Sequence, residues 1–179
     1  MPNREQLEGL FRDRGFDDFR WLPTADIVVA QWVRLKCVFG CDEYGKNVAC
    51  PPNTPTVDEC ARFVREYADS VILRFAKSFP GHEERAAWSR EVNKKLLELE
   101  RAVFLLGHHK AFMLLMGGCP LCEECVGKPE DCRHPGSARP TPEGIAVDLF
   151  ATAHSVGYPL EVLSDHSQLM NRYAILLIA

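Results

Sequence analysis

The stretch that decides how this chain is built reads Ala111-Phe-Met-Leu-Leu-Met116-Gly117-Gly118-Cys119-Pro-Leu-Cys122-Glu-Glu-Cys125-Val-Gly-Lys-Pro-Glu-Asp-Cys132-Arg-His-Pro135. Its first six residues are wholly apolar, as in a strand buried within a sheet. Gly117 ends that strand, and four cysteines follow within fourteen residues, three of them at C-x2-C-x2-C spacing. Two-residue gaps let successive thiolates turn toward one centre, and the glycines and prolines supply the backbone angles such a loop needs. The expected arrangement is a cysteine loop, 117–135, inserted after a buried strand. Strand ends are where α/β proteins commonly place their sites.

Working outward, the segment Cys37-Val-Phe-Gly-Cys41-Asp-Glu-Tyr-Gly-Lys-Asn-Val-Ala-Cys50-Pro-Pro52 carries a second constellation, C-x3-C-x8-C-P-P. It reads as a loop, 37–52, by Gly40, Gly45 and the proline pair. The β-rich run from Asp26 to Lys36 reads as a strand that delivers the chain into Cys37. Around these loops the pattern predicts a helix from Asn3 to Gly15. A second follows Thr56, with Val57, Cys60, Val64 and Tyr67 on one stripe. A strand spans Ser70 to Phe75. A long helix runs from Gly81 to Leu106, with Trp88, Val92, Leu96, Leu99, Val103 and Leu106 down one side and a Glu91–Lys95 pair on its wet face. Thr141 and Pro142 open a helix that runs to about Val156. Pro159–Leu163 and Arg172–Ile178 read as two further strands. The fold class is α/β: one layered domain over residues 1–179.

Composition narrows the function classes. Of the 179 residues, 46% are hydrophobic, and 21 basic against 25 acidic residues leave a net charge of -4. With a pI near 5.9 there is no basic signature for nucleic acid or an acidic membrane, so neither is expected as a partner. No apolar run approaches the ~20 residues of a membrane helix. The polar N-terminus lacks the apolar core of a secretion signal, so the expected location is the cytoplasm. Thiols stay reduced there, and eight cysteines point to metal ligation before disulfides.

Both candidate centres offer thiolates. Zinc is usually held by two C-x2-4-C pairs separated by a longer stretch. A C-x2-C-x2-C triplet is the ferredoxin-type signature of a 4Fe–4S cluster, with a fourth cysteine further on. Cys119, Cys122 and Cys125 match the triplet. Cys132 stands farther away than the ferredoxin spacing, which leaves two arrangements. Cys132 either completes the triplet, or is exchanged into the Cys37, Cys41 and Cys50 group. The first closes a shorter loop, at a smaller entropic cost. In it, the three-cysteine group has no fourth ligand and thus an open coordination position for a small molecule. Cys60 is explained by burial alone, since a free cysteine behaves as a small hydrophobe.

These two motifs, with the downstream stretch Pro142-Glu-Gly-Ile-Ala-Val-Asp148, resemble a family of unknown function labelled predicted metal-binding protein, found largely in anaerobic bacteria and archaea. The resemblance covers about Leu35 to the C-terminus. It implies a metal or iron–sulfur role and brings no substrate. The expectation is one or two 4Fe–4S clusters acting in electron transfer to a redox partner or in redox chemistry, with anaerobic metabolism as the setting. The alternative is a zinc-binding module that fixes the fold and an interaction surface.

Among other polar residues, Arg133 and His134 either tune such a centre or form a solvated pair. Glu123 and Glu124 read as solvent-facing. Tyr44 and its neighbours could offer a donor to the first group, though a turn explains them equally. Adjacent His108 and His109 rarely converge on one metal, and His154 and His166 read as ordinary. No nucleophilic triad, phosphate loop or dinucleotide fingerprint is present.

Overall fold

A computed structural model describes residues 3–165 and 168–179; His166 lies outside the described residues. Five helices and four strands follow in the order α1 Arg4–Asp13, β1 Phe19–Pro23, α2 Gln31–Gly40, α3 Val57–Arg65, β2 Asp69–Lys77, α4 His82–Leu105, β3 Phe112–Leu114, α5 Leu149–Ser155 and β4 Met170–Leu177. The sheet order is β1-β2-β4-β3, and every pairing is antiparallel.

Alternation along the two central strands makes this a three-layer α/β structure. Val71 and Leu73 of β2, with Ala174 and Leu176 of β4, face Leu7 and Phe11 of α1 and Leu96, Leu99 and Val103 of α4. Ile72, Tyr173, Ile175 and Leu177 face the other way, onto Cys60 and Val64 of α3 and Ala153 of α5. Each full burial of such a side chain contributes about 1.5–3 kcal/mol, so β2 and β4 are held from both sides. Asn3 and Thr56 close capping boxes on α1 and α3, satisfying amides that each helix leaves free.

Several expectations are corrected. The run Asp26–Lys36 is not a strand: Val29 makes a single bridge to Val147, and the chain turns into α2 at Gln31. Its β-rich composition yields to tertiary packing. Only Val33 of α2 is buried, so no sheet needed the run. Cys37 therefore sits in a helix rather than at the start of a loop. The helix expected from Thr141 is split. Thr141 Oγ does accept from Gly144 N (2.9 Å), but Ala146 turns left-handed, φ 64°, and α5 starts only after Asp148. Pro159–Leu163 joins no ladder; Leu160 and Leu163 line a cavity instead. β1 was not anticipated. On the wet face of α4 the ion pair is Glu91–Lys94, 2.8 Å, rather than Glu91–Lys95. Leu106 lies past the last turn of α4 and is exposed.

Helix α4 also buries three polar residues, and these position the cysteine loop. Ser89 accepts from Arg172 Nη1 at 2.5 Å. Asn93 donates to Met116 O (2.7 Å) and Gly118 O (3.0 Å), and accepts from Met116 N (3.2 Å). Glu100 accepts from Met113 N (2.7 Å) and pairs in a bidentate fork with Arg139. Leu115 N donates to Pro140 O at 2.8 Å. Both ends of the 117–138 excursion are thus tied to the β3 edge.

Candidate metal centre

Cys37 lies in the last turn of α2, and Cys41 is that helix's C-cap. The C-x3-C spacing sets the two about one helical turn apart, and both line the same cavity. No basic side chain occupies this turn, and the carbonyl end of a helix favours a cation. The chain beyond Cys41 folds back through turns that bring in Cys50: Gly45 N donates to Pro51 O (3.0 Å), and Cys50 N to Asn47 O (3.1 Å).

The two cysteine loops interlock. Val48 N donates to Cys125 Sγ at 3.4 Å. Asn53 Nδ2 reaches Asn47 O (3.1 Å) in its own loop and Gly127 O (2.9 Å) in the other. Gly127, at φ 73°, lies against the carbonyls of Gly45 and Lys46. The turn at Gly144 fastens the first loop from a third side. Its carbonyl accepts from Arg34 Nη2 (3.2 Å) and Thr54 Oγ1 (2.9 Å).

Cys119, Cys122, Cys125 and Cys132 line one small cavity of about 20 Å³, together with Val48, Arg133 and His134. Cys37 and Cys41 line a different and larger one, of about 460 Å³, with Glu143, Lys36 and Arg172 among its polar groups. Cys132 therefore stands with the triplet. Cys60 stands apart from both: it is 2% exposed, packs in the core and donates its thiol to Pro55 O at 3.5 Å. Glu123 and Glu124 are exposed. His108 is buried with Nε2 unpartnered, and His154 Nε2 meets Leu160 O at 3.1 Å. Tyr44 is partly exposed in the first loop.

Among the described residues, no three His, Cys, Asp or Glu side chains converge closely enough to hold one metal ion as they stand. Burial, then the neighbouring Cys37, Cys41, Cys119 and Cys125, pushes Cys50 up from 9.0 to about 11. Burial likewise raises Cys37 and Cys119. Ligation must drive these protons off. Metal affinity is therefore expected to rise with pH. For the metal-free chain the sign is opposite. A thiol whose proton affinity is higher folded than unfolded contributes stability below pH 9, and that stability is lost as pH rises toward 11. Denaturation of chelator-treated protein across pH 8–11, alongside metal titrations from pH 6 to 8, checks both signs.

Residues 20–178 match the model of a family described as predicted metal-binding protein (DUF2284). The chain belongs to this family. No curated protein and no solved structure matches it. The family description predicts metal binding, and the cysteine loops are where this member offers soft donors for a metal.

Sequence reasoning missed Arg172 and Glu143, which face the larger cavity from β4 and from the turn after Thr141. Arg172 belongs to no local motif, and Glu143 lies in the Pro142–Asp148 stretch, where nothing local gives it a chemical role. Glu143 is an exposed residue on the wall of that cavity. One signal was available: the polar residues Ser89, Asn93 and Glu100 fall on one face of an otherwise apolar helical stripe.

Proposed function

We propose that this member of the family is an iron–sulfur protein. Cys119, Cys122, Cys125 and Cys132 would hold one 4Fe–4S cluster. Cys37, Cys41 and Cys50 would hold a second, with a coordination position facing the larger cavity. The observation that carries this reading is that Cys132 shares a cavity with the triplet. Four thiolates on one glycine-bent loop suit the donor set of a cubane cluster. When bound, such a cluster supplies one-electron chemistry.

The chain's own residues do the rest. Arg133 and His134 place a cation and a hydrogen-bonding ring beside the four cysteines, which tunes a potential. Cys41 is exposed, as a centre that trades electrons with a redox partner protein requires. The larger cavity gives a small molecule access to Cys37 and Cys41. A reducing, cytoplasmic setting is consistent with eight unpaired thiols.

One observation favours a single zinc ion at the second loop instead. A cavity of about 20 Å³ admits little more than one water-sized particle, so a cluster requires the loop to open about its glycines. Anaerobic purification decides between them. The expected product is brown, absorbs broadly in the blue, and carries iron and acid-labile sulfide in similar amounts. A colourless product carrying stoichiometric zinc would overturn the iron–sulfur reading.

A further inference from the structure

A second cleft, of about 390 Å³, opens beside Cys119 and Cys122 and is lined by His82, Arg85, Ser89, Arg90 and Arg172. Arg85 and Arg90 come from the first turns of α4, and Arg172 comes from β4. None of the three guanidiniums makes an ion pair with a carboxylate among the described residues. The lining includes one carboxylate, Glu123, which is exposed. Burial and the positive charge of Arg85 both make Arg172 less willing to hold its proton, and the Glu143 carboxylate offsets this only in part. Arg85 and Arg172 thus line one cleft with no carboxylate in salt-bridge reach of either among the described residues.

The arrangement is braced. Ser89, itself buried, accepts from Arg172 Nη1 and donates to Arg85 O at 2.7 Å. Asn93 fixes the backbone of Met116 and Gly118. That sets Gly117, at φ 72°, flat against the Arg172 guanidinium, where any Cβ would collide with Nη2.

We propose that this cleft binds a phosphoryl dianion, free or as the ester of a small molecule, with Arg85 and Arg172 as paired anchors and Arg90 at the rim. Two adjacent guanidinium forks match a tetrahedral group that carries two charges and several acceptor oxygens. A monocarboxylate would leave one cation uncompensated. The volume exceeds what phosphate alone fills and leaves room for a small polar ester. Its confinement to one cleft, on a chain of net charge -4, does not suit an extended polyanion.

Calorimetric titration of the anaerobically purified full chain at low salt, with inorganic phosphate, glycerol phosphate and citrate in turn, tests this. Phosphate or its ester is expected to bind saturably in the millimolar range or tighter, and more tightly than citrate. Arg85→Gln, Arg172→Lys and Gly117→Ala should each weaken binding by about ten- to a hundredfold, as loss of a charge-assisted pair does. Arg85 is only half-buried, so Arg85→Gln should keep the parent's circular dichroism and metal content, which separates this proposal from the metal reading. Absence of saturable phosphate or ester binding would overturn it. So would equal or tighter citrate binding, unchanged affinity in Arg85→Gln, or loss of metal in that variant.

Discussion

Replacing Cys125 with serine is expected to empty the 117–135 loop of its metal and to loosen the 37–52 loop as well. The hydroxyl is a poor soft donor, and three remaining thiolates hold a thiolate-type centre far less tightly. Metal binding of this kind contributes on the order of 10 kcal/mol of folding free energy at neutral pH, more than any single core side chain supplies. The effect should spread because Val48 N donates to this sulfur and Asn53 bridges to Gly127 two residues on. Metal and sulfide analysis, with amide exchange of residues 43–53, reads both effects. Two companion variants sharpen the result. Cys132→Ser should cost the same centre and leave the metal of the Cys37 group in place. Cys60→Ser should cost stability only, because that thiol sits in the core. Retention of full metal content by Cys125→Ser would refute the assignment of this loop.

The second large effect is expected at Glu100. Its carboxylate is bidentate to Arg139, with side-chain exposures of 11% and 18%, and also accepts from Met113 N. Glu100→Ala would strand a largely buried guanidinium and an edge-strand amide together, which costs about 3–5 kcal/mol. For a chain of this length that is about 10 °C in melting temperature. The cost should fall where the cysteine excursion closes, since Arg139 marks its return to β3. Arg139→Met in the Glu100→Ala background should recover part of the loss, because it removes the stranded charge. A single Glu100→Ala variant melting within about 2 °C of the parent, less than 1 kcal/mol on that scale, would show that the pair does not clamp the loop.

These two sites differ in how far the chain order reveals them. The cysteines announce themselves by spacing. Glu100 interrupts the apolar stripe of α4, but nothing local names the partner it meets, Arg139, 39 positions away. The same division runs through the fold. Strand β2, helix α4 and the apolar runs of β3 and β4 are long or strongly patterned, so local composition identifies them. β1, Phe19-Arg-Trp-Leu-Pro23, is a five-residue edge strand with only Leu22 buried and a terminal proline. Its pairing with β2 makes it a strand, not its composition. α2 errs in the other direction. A β-rich run became a helix because the strands of the sheet come from elsewhere and one bridge, Val29 to Val147, already ends the extended segment.

By itself the sequence determined the α/β class, the two cysteine constellations and membership of a family described as predicted metal-binding protein. Those follow from periodicity and from spacings of a few residues, which act over one turn or one loop. Tertiary structure decided the rest. It put Cys37 and Cys41 on the wall of one cavity, Cys132 in the same cavity as Cys119, Cys122 and Cys125, and Arg172 against Gly117, on a residue that lines clefts beside both groups of thiols. The last of these joins residues through the packing of α4 and β4, and such a contact forms only when the sheet has set the distance between them.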